Sequence, residues 1–121
     1  MFRFEKLDVW NNAVDFAGFV YDATRPFPSD ERFGLTSQMR RAAVSVSSNV
    51  AEGSSRASDV DFARFIEIAY GSLMEVVSQA HVAKRQDFLA QTAFGPLYEQ
   101  SERLARMLSG LRSSLVPREN K

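Results

Sequence analysis

His81 is the only histidine of the sequence, and histidine is the residue type best suited to moving protons near neutral pH. A serine nucleophile would need it. Ser45, Ser47 and Ser48 cluster on one stretch and Ser72 lies further on, but a hydroxyl attacks only when a base takes its proton. Acyl transfer is the reaction that Ser45 or Ser72 would run with His81, and no Gly-x-Ser-x-Gly elbow or glycine-rich phosphate loop supports it. Metal chemistry fares no better. A carboxylate di-metal bundle needs Glu-x-x-His motifs, whereas Ser78 stands three residues before His81. Without cysteine there is no thiolate nucleophile, zinc cluster or disulfide. The sequence therefore predicts no catalytic residue, no metal, no cofactor and no small-molecule substrate. Asn49 and Glu52 are the notable polar residues left. Asn49 shares a helix face with Ala42 and Val46, so it is expected to be partly buried and to bridge helices, with Glu52 bonded to an arginine or a helix N-terminus. A polar ligand pocket around the two is the functional alternative.

The elements that would carry these residues are helices. Leu7, Trp10, Val14, Ala17 and Tyr21 recur at three and four residues and predict a first helix with that face in the core, its first turn favoured by Asp8 and its end set by Pro26 and Pro28. A single turn is expected at 29–33. A second helix follows, capped by Thr36, with Leu35, Met39, Ala42 or Ala43, Val46 and Val50 inward and Gly53 as the left-handed residue that stops it. Its many Ala and Ser residues would let a neighbouring backbone come close. Ser58 and Asp61 resemble a capping box for the longest helix, whose seam is Phe62, Ile66, Ala69, Leu73, Val76, Ala80 and Ala83. A reversal near 87–92 leads to the fourth, with Phe94, Leu97, Ser101, Leu104, Leu108, Leu111 and Leu115 on one side. Glu99 with Arg103 and Glu102 with Arg106 are spaced as exposed helix ion pairs. Four helices with short links predict an all-α, antiparallel up-down-up-down four-helix bundle as a single domain over 1–117, with 118–121 a disordered tail.

The composition suits such a domain. Of the 121 residues, 45% are hydrophobic and 25% charged, and fifteen basic side chains balance fifteen acidic ones. Zero net charge gives no global field toward nucleic acid or anionic lipid. The start, Met1-Phe2-Arg3-Phe4-Glu5-Lys6, lacks the apolar core of a signal peptide, and no apolar run is long enough to span a membrane. Together with the missing cysteines this predicts a cytoplasmic protein without membrane partners.

Two helices carry more apolar residues than one seam uses. Val9, Phe16, Phe19 and Ala23 flank the stripe of the first helix, and Tyr70, Met74, Val77 and His81 form a second line on the third. One explanation is the edge of a wide core. The preferred one is self-association through Val9, Phe16, Phe19, Tyr70, Met74, Val77 and His81, in a closed ring or dimer. Arginine outnumbers lysine twelve to three. A ring that repeats Arg40, Arg41, Arg103 or Arg106 about an axis could therefore grip nucleic acid although each chain is neutral. Asp8, Asp15 and Asp22 recur every seven residues as an acidic line that could set the register of one subunit on another.

The string Leu35-Thr36-Ser37-Gln38-Met39-Arg40-Arg41-Ala42-Ala43-Val44-Ser45-Val46, followed by Ser48-Asn49-Val50-Ala51-Glu52-Gly53, resembles the signature of the bacterial 23S rRNA intervening-sequence proteins, also labelled S23 ribosomal protein. Leu7 to Trp10 with Ala13, Phe62-x-x-Phe65-Ile66, Gly71-Ser72-Leu73-x-Glu75 and Leu104 to Leu115 extend the likeness along nearly the whole chain. Ser47 stands where the family often has proline, and Val77 where an acidic residue is common. The resemblance implies a four-helix bundle that assembles as a homopentamer. Distant relatives serve as accessory proteins of retroelements. A non-enzymatic homo-oligomeric scaffold or adaptor is thus expected, with RNA binding by the assembled ring as the alternative.

Overall fold

The computed structural model describes residues 1–117. Four helices, α1 (Asp8–Thr24), α2 (Leu35–Ser54), α3 (Asp59–Arg85) and α4 (Gln91–Leu115), are joined by short links, with single 3₁₀ turns at Arg3–Lys6 and Ser29–Glu31. The expected tail, 118–121, lies outside the described residues. Each helix packs against two neighbours in the cyclic order α1, α2, α3, α4, which leaves α1 diagonal to α3 and α2 diagonal to α4. Contacts between neighbouring helices run start to end or middle to middle. Arg40 bonds Thr24, Ser45 meets Ser72, and Glu67 meets Arg112, as in an antiparallel bundle. Both ends are tied. At one, Phe27 from the α1–α2 link packs on Phe88 from the α3–α4 link, ring centroids 5.9 Å apart. At the other, Arg3 donates to the Ser54 carbonyl and lies over the Phe62 ring.

The expected seams of α2, α3 and α4 face the core: Met39, Val46, Val50, Phe62, Ile66, Leu73, Val76, Leu97, Leu104 and Leu108 are buried, while Leu35, Leu111 and Leu115 at the helix ends are half-buried against it. Ser101 is accommodated because its hydroxyl donates to the Leu97 carbonyl one turn back, at 2.8 Å. The face of α1 is corrected. Its buried line is Val9, Ala13, Phe16, Val20 and Ala23, with Ala17 buried as expected, whereas Val14 and Tyr21 are exposed and Leu7 and Trp10 half-buried. Val9 and Phe16, expected at an interface between copies, thus belong to the core of their own chain, Phe16 with 1% of its surface exposed. Phe19 is half-buried against the same core. The reason is steric. Ala13 lets α1 approach its neighbours, and a seam through Trp10 and Tyr21 would hold it away.

Three local expectations about the helix ends resolve in different ways. Ser58 caps α3, its hydroxyl accepting from the Asp61 amide at 3.1 Å. Thr36 does not cap α2. Gly34 precedes that helix and the Glu31 carboxylate accepts from the Leu35 amide at 3.1 Å. Gly53 is not in the left-handed region either. Among the described residues only Asp87, in the α3–α4 reversal, has such a backbone, with φ 62°. Gly53 serves packing instead, since α3 crosses directly over it.

Candidate functional site

Two surfaces flank α3 on opposite sides. The first is apolar and lies between α3 and α4. Tyr70, Met74 and His81 are exposed along it and Val77 is half-buried, so the second line read on α3 faces outward as a unit. Met74 is 39% exposed and Tyr98, which α4 contributes, 40%. His81 presents its ring edge-on to Phe94 and Tyr98, with centroids 5.0 and 6.2 Å away. Lys84 Nζ stands 4.6 Å over the other aromatic of that group, Phe94. Toward the far end, Tyr70, Gly71 and Ser109 open a cleft of about 340 Å³ over Ile66 and Leu108, closed by the Glu67–Arg112 pair at 3.1 Å. Tyr98 was missed in the sequence. It falls beside the leucine seam of α4, where one aromatic among polar residues gives no period of its own.

The second surface is polar and lies between α2 and α3. The Ser45 and Ser72 hydroxyls meet across the helices at 2.9 Å, and Asn49 Nδ2 donates to the Ser45 carbonyl at 2.8 Å and to its hydroxyl at 3.0 Å. Asn49 is half-buried as expected, but the link between helices is made by the serines. Glu52 pairs with Arg56 at 3.6 Å, the arginine contact expected of it. Further along, Phe33, Ser37, Gln38, Arg41, Ser72 and Glu75 line an open groove of about 460 Å³. Phe33 was also missed, because it sits in a connector where no helical spacing points to it. His81 packs on Phe94 of α4, on the other flank of α3 and about 13 Å of helical rise beyond Ser72. The structure therefore does not assemble a serine nucleophile with a base.

The four arginines do not form one patch. Arg40 is engaged within its own chain: its Nε donates to the Thr24 hydroxyl at 2.9 Å, Nη2 to the Tyr21 carbonyl at 3.3 Å, and its guanidinium lies 4.7 Å over the Tyr21 ring. It finishes the C-terminal turn of α1, where open carbonyls favour a cation. Arg103 shares a narrow cleft of about 130 Å³ with Asn12 and Asp15, so that part of the acidic line on α1 faces α4 of its own chain. Arg41 and Arg106 are exposed on α2 and α4, which are diagonal. Among the described residues no cluster of His, Asp or Glu is able to hold a metal ion, and no helix is long and apolar enough to cross a membrane.

The same arrangement of helices occurs in a crystal structure of a protein with unknown function from the S23 ribosomal protein family of Bacteroides thetaiotaomicron VPI-5482. The two superpose with a TM-score of 0.80 at 17% identity, over 87% of this chain and 95% of that one, a likeness of fold alone. No curated protein matches. The sequence itself matches the family described as 23S rRNA-intervening sequence protein over residues 5–110, a span that takes in α1, α2, α3 and most of α4. The chain belongs to that family.

Proposed function

We propose that the chain is a cytoplasmic, non-enzymatic scaffold or adaptor that works as a homo-oligomer, assembled through the face between α3 and α4. The observation that carries this reading is the continuous row of Tyr70, Met74, Val77 and His81 beside Tyr98. Aromatic and methionine side chains are enriched where proteins meet, and an apolar patch of this kind is costly to leave in water. Charged groups stand at its two ends, Glu67 with Arg112 and Lys84, as at the rim of an interface. Val9 and Phe16 drop out of the contact set because the core of each chain uses them.

Light scattering on the full chain at micromolar concentration tests the reading. The expected mass is a multiple of 13.6 kDa, and the family resemblance favours five copies. Met74→Asp combined with Tyr98→Asp should reduce the particle to a single chain with an unchanged far-UV circular dichroism spectrum. A wild-type monomer at that concentration would sink the proposal.

A further inference from the structure

The groove between α2 and α3 lies on the opposite flank of α3 from the assembly face, and packing accounts for Ser45 and Ser72 in its wall but not for Phe33, Arg41 or Glu75. Phe33 is 84% exposed at the end of the α1–α2 connector, and Arg32 lies over its ring with Cζ 4.8 Å from the centroid. Arg41 lines the same groove and forms no salt bridge among the described residues. Glu75 lines the α3 wall and accepts from Gln79 Nε2 at 3.3 Å. The hydroxyls of Ser37, Ser45 and Ser72 complete the lining, and about 460 Å³ lies within the range of small-ligand sites. The helix 2 string and the Gly71-Ser72-Leu73-x-Glu75 string, which lie far apart in the chain, meet at this groove.

These groups have counterparts in one class of ligand. An exposed aromatic face accepts a stacked base, and a guanidinium accepts a phosphate. Carboxylate and amide oxygens accept from the exocyclic amino group of adenine or cytosine, and serine hydroxyls suit ribose. The Glu75 carboxylate repels phosphate, so the phosphate belongs on the α2 wall with Arg41 and the amino edge of a base on the α3 wall with Glu75. We infer that the α2/α3 groove binds a nucleotide, with a base on Phe33, its phosphate on Arg41 and an amino edge toward Glu75. A base held in a duplex cannot offer its face to Phe33, so the sources are an unpaired strand or a free mononucleotide.

Fluorescence anisotropy with a 5′-fluorescein-labelled adenosine decamer RNA, titrated with the full chain at low and moderate salt, tests this. The decamer should bind and its duplex with a uridine decamer should bind far less. Phe33→Ala should weaken binding about tenfold at both salts, the loss of one stacked base. Arg41→Ala should weaken it most at low salt and lower the slope of log affinity against log salt by about 0.7, one phosphate contact on a single strand. Competition with AMP separates the sources: displacement at concentrations comparable to those of unlabelled decamer points to a free nucleotide, and displacement by decamer alone to a strand. Absence of binding by both probes at low salt overturns the inference, as does binding that neither substitution alters. A change of particle mass in Phe33→Ala or Arg41→Ala without a change in RNA affinity would assign the groove to contact between copies and overturn it as well.

Discussion

A Cβ built on Gly53 of α2 would stand 2.6 Å from the Cβ of Phe65 on α3 and 2.9 Å from Phe62 Cδ1. The Phe65 Cβ is one bond from the backbone and cannot swing aside, so the helices must separate for any side chain at position 53. Alanine is the better helix former by about 1 kcal/mol, whereas overpacking a tight contact costs about 1–3 kcal/mol. The 2.6 Å approach puts that cost at the upper end, so Gly53→Ala is expected to lower stability by about 1–2 kcal/mol net, read as a lower urea midpoint at fixed protein concentration. An unchanged or higher midpoint would mean that α3 yields at little cost.

Arg40 gives a second test. The Thr24 hydroxyl is buried and donates to the Val20 carbonyl at 2.8 Å while accepting from Arg40. Arg40→Met keeps an unbranched stem beside Tyr21 but removes that donor and the one to the Tyr21 carbonyl. A loss of about 1–2 kcal/mol is expected in thermal or urea unfolding. Arg40→Lys should recover only part of it, since an ammonium group lacks the flat fork that stacks on the ring and reaches both oxygens. RNA affinity should be unaffected by either change.

The Ser45–Ser72 contact is open to a double-mutant cycle. Each serine-to-alanine change should cost about 1 kcal/mol or less, with a coupling energy of about 0.5–1 kcal/mol between the two. A coupling near zero would show that the hydroxyls bond water in preference to each other. Neither serine has an imidazole in reach, so incubation with phenylmethylsulfonyl fluoride should leave the mass of the chain unchanged.

Phe16 and Met74 separate core from assembly. Phe16→Ala empties a large site in the bundle interior and should destabilise the chain by about 3–5 kcal/mol. Met74→Ala truncates a side chain that is 39% exposed, so its effect should fall on particle mass, with a small change in the stability of the isolated chain. If Met74→Ala lowers the stability of the chain and leaves its mass distribution intact, the residue is a packing element and the assembly face must be elsewhere.

The heptad lines of α2 and α4 were legible in the sequence because each has one apolar period to choose from, and that of α3 because its seam is the longer and more apolar of two lines. On α1 two periods run side by side. Weight of side chain favours Leu7, Trp10 and Tyr21, while the bundle selects Val9, Ala13, Phe16 and Val20, because close helix approach rewards small residues that a count of apolar bulk overlooks. The outward line of Tyr70, Met74, Val77 and His81 was legible for the same reason as the seams. The polar groove was not. It exists only in the register that sets Ser45 beside Ser72 and Arg41 opposite Glu75, a relation between helices that no spacing within one helix contains. Arg40 and Arg41 are adjacent in sequence and look equivalent there. A rotation of about 100° around α2 sends one to the end of α1 and the other to the groove.

The α2–α3 pair, in which backbones approach over Gly53 and a four-residue link joins the helices at 55–58, has a kinetic consequence. Its contacts close small loops, so the entropy lost before they form is low. This hairpin is where a folding nucleus is cheapest to make. Substitutions along its seam should slow refolding, while those on α1, which docks on a preformed partner, should chiefly hasten unfolding.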